Sequence, residues 1–328
     1  MTDFAEQVLS NGLADLLLAI LLAGIAIGVS NASWRRHVHD FFGVRRPGAG
    51  AIRVRLSSIS VRPGGSIGTE TVVEGFFGPA ISELEYRYAL GLAQSIQLKP
   101  IAKVIRALME SAPGSEEPVV CDITMTEPYT GPMPADFAWD RDLTDRLRAK
   151  LRGATYVLVG EPLYNVMTRY VLSAAPSRFR FLGGTPGDEG RRRSIRVQNI
   201  YHSRNSHEED SHESEDYERQ QLDNGECVEY AILERITNWN GITIFICAGT
   251  STAATVAALR HLTEWRALAR RFDRALYRRQ ARDGSGDPAI GNFGILYQVR
   301  TTDVENVPDP DRVLERWVYP PPSTWSAR

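Results

Sequence analysis

The chain has 328 residues, 24% of them charged and 43% from the hydrophobic set, with a net charge of −2. That composition belongs to an ordinary globular protein and argues against a general nucleic-acid binder, so no nucleic acid is expected as a partner. Three well-separated cysteines, Cys121, Cys227 and Cys247, exclude a disulfide framework and a C-x-x-C metal cluster, and they point to buried thiols in a reducing compartment.

From Leu16 to Val29 the sequence reads LLLAILLAGIAIGV, and extension to residues 12–33 adds one charge, Asp15. A helix crossing the hydrocarbon core needs roughly 20 such residues. A secretory signal would carry a positive n-region, whereas Asp3 and Glu6 precede this run and no Lys or Arg does, although Ser30-Asn31-Ala32 is small enough to be cleaved. A buried core helix is the other reading. Against it, Trp34-Arg35-Arg36 and Arg45-Arg46 follow the run, an aromatic and basic flank of cytoplasmic type. We therefore expect residues 1–11 outside, a transmembrane helix at 12–33, a basic juxtamembrane linker at 34–51, and a cytosolic domain at 52–320 with a tail at 321–328. The expected location is a bacterial inner membrane or plasma membrane, the excess of Arg over Lys being the mark of a GC-rich genome. Gly24 and Gly28 form a G-x-x-x-G face through which two such helices could pack. His37 and His39 read as interfacial.

Beyond the Pro47–Ala51 hinge, strand and helix signals alternate. Ile52 to Val61 has the alternation of a half-buried strand, and Thr71 to Phe77 is a second candidate. Ser82 and Glu85 have capping-box spacing, with Leu84, Tyr88, Leu92 and Ile96 along one helical face. PVVCDIT at 118–124 reads as a buried strand, a helix follows from about Asp142, and TYVLVG at 155–160 is the next buried strand. Ser194 to Tyr201 reads as a strand. The polar, acidic stretch 202–225 cannot bury enough surface to offset its ordering entropy and reads as a mobile loop. Its His202, His207 and His212 do not have zinc-site spacing, so no metal is expected. Asn240-Gly241 predicts a tight antiparallel hairpin between 227–236 and 242–247. A long helix after Ala253, a strand at 293–299 and a final helix at 311–317 complete the pattern. The implied fold is a Rossmann-like layered α/β domain with a mixed sheet.

Two junctions between an apolar strand and a helix carry the chemistry. In VGEPLYNVMTRY, Gly160 ends the strand and Asn165, Thr168 and Arg169 open the helix. In AGTSTAAT, Gly249 is followed by Thr250, Ser251 and Thr252, with Thr255 a turn later. Such strand ends bind ligands in open α/β sheets, and free N–H groups there favour anions. The alternative is that glycine makes a turn and a hydroxyl caps a helix. Glu161 is the candidate catalytic carboxylate, with Glu74 as companion, for attack at an N-glycosidic bond. Arginine clusters at 191–196 and along 260–279 suit either anionic headgroups or a solvated, salt-bridged face. The anchor followed by these two junctions resembles membrane-anchored effectors and sensors of bacterial nucleotide-signalling defence systems. That resemblance implies a Rossmann-like domain that binds a nucleotide-like ligand, without a further cofactor, and signals by oligomerisation at the bilayer. A nucleoside glycosidase and a non-enzymatic scaffold are the alternatives.

Overall fold

The computed structural model describes residues 37–44, 51–57, 59–60, 79–80, 82–96, 121–126, 141–162, 164–182, 194–197, 215–272, 291–302 and 312–319. The expected transmembrane segment with Gly24 and Gly28, the hinge at 47–50, Glu74, the strand at 71–77, Arg191–Arg193 and the three histidines of the acidic stretch lie outside them. Among the described residues no helix is long and apolar enough to cross a membrane.

In chain order the elements are α1 (residues 37–42), β1 (Ile52–Leu56), β2 (Ile59–Ser60), β3 (Pro79–Ala80), α2 (Glu83–Ile96), β4 (Cys121–Met125), α3 (Arg141–Lys150), β5 (Thr155–Val159), α4 (Val166–Ala174), β6 (Phe179–Leu182), β7 (Ser194–Val197), β8 (Glu215–Glu218), β9 (Gln220–Gln221), β10 (Glu226–Trp239), β11 (Ile242–Gly249), α5 (Thr252–Thr263), α6 (residues 265–272), β12 (Phe293–Thr302) and β13 (Val313–Tyr319). The main sheet runs β13-β12-β10-β11-β5-β1-β4, with β9 beside β10. β4, β1, β5 and β11 are parallel, while β10, β12 and β13 extend the sheet in antiparallel fashion. The α/β fold with a mixed sheet is therefore as the sequence implies.

Local chemistry explains the central elements. TYVLV of β5 is buried throughout because a central parallel strand is covered on both faces. β1 alternates, with Ile52, Val54 and Leu56 buried and Arg53 and Arg55 half-buried on the other side. The β10–β11 hairpin turns on Asn240 (φ 50°) and Gly241 (φ 77°), the positive pair that a type I′ turn demands. In α6, Trp265, Leu268, Ala269 and Phe272 repeat at helical spacing and are all buried.

Two apolar cores flank the sheet. One packs α1, α2, α5 and α6 against Val54, Val157, Phe245, Leu233 and Tyr297. The other packs α3, α4 and the small β6-β7-β8 sheet against Tyr156, Leu158, Ile246 and Ile232. The chain leaves β1 toward β4 past α2 and returns to the far side of β1, as β5, past α3. Helices on opposite faces are what a reversal of direction requires if both crossovers keep the same hand.

Four expectations change. Residues 311–317 do not form a final helix; β13 occupies 313–319 and pairs with β12. Arg316 is the extra residue of a bulge there, because Leu296 faces Trp317 while Tyr297 faces Glu315, and the bulge breaks the two-residue alternation that marks a strand. The acidic stretch is not a loop throughout, since β8 and β9 lie within it; Arg196 on β7 holds Asp216 on β8 through two hydrogen bonds of 2.7 and 2.8 Å. The strand expected at 118–124 is described only as β4, an edge strand in which Cys121, Asp122 and Ile123 are half-buried rather than buried. Finally, 34–51 is not simply a linker. Val38, Phe41, Phe42 and Val44 are core residues, with Phe41 packed on Phe245, Trp265 and Phe293 at ring separations of 5.3 to 6.0 Å. His39 closes this segment, its Nδ1 donating to the Val44 carbonyl at 3.0 Å.

Candidate functional site

The parallel strands end together at one edge of the sheet, with Leu56 level with Val159 and Val159 level with Cys247. Strand order reverses between β1 and β5, and in open α/β sheets this switch point leaves a crevice at the carboxyl ends. The residues just past those ends are Ser57, Gly160 and Glu161.

Gly160 has φ +113°, and a Cβ placed on it would lie 1.6 Å from Ser57 Oγ, so only glycine allows the two loops to touch. Ser57 Oγ donates to Val159 O (3.1 Å) and Gly160 N–H donates to Cys247 O (2.9 Å), which draws the ends of β1, β5 and β11 together. Glu161 follows, only 9% exposed, its carbonyl accepting from Tyr164 and Asn165. Asn165 caps α4: Oδ1 accepts from Met167 N (3.0 Å) and Thr168 N (3.1 Å), and Nδ2 donates to Val159 O (2.8 Å) and Arg55 O (3.1 Å). Both donors and both lone pairs of the amide are thereby engaged. Thr168 and Arg169 are buried in the first turn, and the Thr168 hydroxyl has no hydrogen-bond partner among the described residues.

The second junction is built differently. A Cβ on Gly249 would come within 2.6 Å of Ala254 Cβ and Thr255 N, so this glycine lets α5 begin directly beneath the strand. Thr250 prolongs the β10 pairing, its N–H donating to Tyr230 O (2.8 Å) and its Oγ accepting from Tyr230 N (3.1 Å). Ser251 Oγ caps α5 by accepting from Ala254 N (3.1 Å) and also donates to the Glu229 carboxylate. Thr255 Oγ donates back to Ser251 O (3.0 Å), and Thr252 is half-buried beside them. Glu229 is 2% exposed, and its other oxygen meets Arg219 Nε at 3.1 Å. A built-in carboxylate thus stands where an anion would have been attracted to the helix terminus.

The two sets of sequence-chosen residues share the carboxyl edge, but three of the four hydroxyls at the second junction serve the protein's own backbone. Ser57, Glu229 and Arg219 were not singled out from the sequence. The signal for Glu229 is a charge inside the apolar run CVEYAIL. Glu234, from the same strand, is a second such charge. It accepts from Ser177 Oγ (2.5 Å) and Arg178 N (2.8 Å), and burial pushes its carboxyl up to about 7. Burial also pushes the Cys121 thiol up to about 12 and raises Cys247, so neither is an activated nucleophile. Among the described residues no group of His, Cys, Asp and Glu is gathered as a metal site. Of the basic clusters, Arg271 forms a bidentate pair with Glu315 (2.6 and 2.8 Å), a partner on β13 rather than on its own helix.

Compared with protein-family models, curated proteins and solved structures, the chain matches none.

Proposed function

We propose that the chain is a single-pass membrane-anchored protein whose α/β domain receives a nucleotide-like ligand at the carboxyl edge of its sheet, between the ends of β1 and β5. The observation that carries this reading is the coincidence of the strand-order reversal with the Ser57–Gly160 contact and the buried Glu161. The anchor is supported by the apolar run at 16–29 and its Trp34-Arg35-Arg36 flank, which favour a cytoplasmic domain. Oligomerisation through the Gly24–Gly28 face would turn binding into a signal.

The chemistry of the edge favours the sugar of such a ligand over its phosphates. Asn165 and Ser251 already cap both helices, Glu229 adds negative charge at α5, and an ionised Glu161 accepts hydrogen bonds without giving any. Hydroxyl donors suit that environment. A second reading, a glycosidase using Glu161, is favoured by the burial of that carboxylate, which removes it from bulk water.

A thermal-shift screen of the full chain in detergent against nucleotides, cyclic nucleotides and NAD tests both readings. A native-state ligand at a hundred times its dissociation constant adds about 2.7 kcal/mol of apparent stability. The expected result is a shift that Glu161→Gln abolishes while unfolding without ligand is unchanged, and base release from the same ligand would identify the glycosidase. No shift with any member of the panel would overturn the ligand reading in favour of a scaffold.

A further inference from the structure

α1 docks at the opposite edge of the sheet from the candidate site. Its last carbonyls are taken by residues at the starts of the parallel strands and the end of β10: Thr155 Oγ donates to Phe42 O (2.7 Å) and Arg235 donates to Asp40 O (2.9 Å). Gly43 lies against Thr243 at the start of β11, so closely that a Cβ would overlap the threonine hydroxyl. Arg235 itself is buried, with its guanidinium 5.4 Å from the Phe41 ring centre. The chain entering the domain is therefore clamped by packing and hydrogen bonds from its first described turn.

The same edge carries exposed positive charge. α3 ends there, and its end is held in place by Tyr156, whose hydroxyl donates to Lys150 O (2.6 Å) and accepts from Arg152 N (3.1 Å). Arg148, Lys150 and Arg152 are exposed, and the side chains of Arg148 and Arg152 form no ion pair among the described residues. Asp40 is an acid at this edge, and Asn240 and Gly241 of the hairpin turn are uncharged. In the sequence, Arg35, Arg36, Arg45 and Arg46 flank α1.

We infer that this amino edge is a membrane-facing surface that rests on anionic phospholipid headgroups and holds the candidate site on the far side of the domain. The inference rests on the anchor reading. Four backbone steps separate Ser33 from His37, a reach of about 14 Å when fully extended, so a clamped α1 keeps the edge near the bilayer. The attraction of clustered Lys and Arg to an anionic leaflet falls off within a Debye length of about 8–10 Å, so it acts once this edge rests on the headgroups themselves. The five residues of β5 then set the ligand crevice about 17 Å farther out.

The test uses the full chain with Cys121→Ala, carrying a thiol-reactive fluorophore at Lys150→Cys on the amino edge or at Asp223→Cys on the carboxyl side. Cys227 and Cys247 are buried and do not compete for the label. Each protein is reconstituted into phosphatidylcholine vesicles, with or without phosphatidylglycerol, containing a headgroup-attached quencher. Several-fold stronger quenching at position 150 than at 223 is expected. It should weaken without phosphatidylglycerol and when Arg148→Glu and Arg152→Glu are introduced together. Equal quenching, or stronger quenching at 223, with the chain still resisting alkaline extraction would overturn the orientation alone. Extraction of the chain at alkaline pH would overturn the anchor reading, and the orientation with it.

Discussion

The two edges of the main sheet are closed by opposite means. At the amino edge, Phe41, Phe42, Phe245, Trp265 and Phe293 interlock as rings, and Arg235 is the polar group folded among them. At the carboxyl edge, Ser57, Asn165, Thr250 and Ser251 join strand ends and helix starts through hydrogen bonds of about 3 Å. Apolar packing gives large, non-directional stabilisation, whereas a hydrogen bond contributes little net energy but fixes geometry. The domain thus holds its entry point by packing and shapes its candidate site by direction.

Phe41→Ala sharpens that contrast most. Removing a fully buried ring should lower the unfolding free energy by about 4 kcal/mol in a denaturant titration. A loss below about 1 kcal/mol would mean that α1 packs on the domain without belonging to its core.

Asn165→Ala comes next, at about 2 kcal/mol: about 1 for the cap and the remainder for the two amide hydrogen bonds lost at the Arg55 and Val159 carbonyls, of which Val159 keeps the Ser57 hydroxyl. Asn165→Asp keeps the acceptor and should recover the cap portion. If the aspartate is no better than the alanine, the strand staple outweighs the cap.

Ser251→Ala should cost least, about 1 kcal/mol, because the Glu229 carboxylate stays close to the α5 terminus and keeps its Arg219 partner. A loss as large as that of Asn165→Ala would break the distinction between the two junctions and show that Glu229 depends on the serine hydroxyl.

Features that rest on neighbours in sequence were legible there. The hairpin followed from Asn240-Gly241, β5 from five consecutive buried residues, and α2 from Ser82, whose Oγ does accept from Glu85 N at 3.4 Å. β13 was not, because its bulge at Arg316 shifts the alternation halfway along the strand. α1 was not either, because basic residues on both sides give it the composition of a membrane border. β6 was missed because four residues hold too little period to register. At the candidate site, the positions of Gly160, Asn165 and Gly249 could be read from the strand-to-helix pattern. Their roles could not, since Asn165 answers to Arg55 across 110 positions and Gly160 to the side chain of Ser57. Hydrogen bonds across such distances leave no local trace.

The seating of α1 also has a consequence in time. Its ring partners lie at positions 245, 265 and 293, and the arginine that holds Asp40 lies 195 residues downstream. At ribosomal speeds of about 5–20 residues per second, those partners emerge roughly ten seconds or more after Phe41. The β10–β11 hairpin closes within microseconds of its own synthesis, so the surface that receives α1 is ready as soon as it is made. Until then Phe41 and Phe42 lack these partners, twelve and thirteen positions after Val29, the end of the LLLAILLAGIAIGV run. The clamp at the amino edge is therefore among the last contacts that the growing chain can complete.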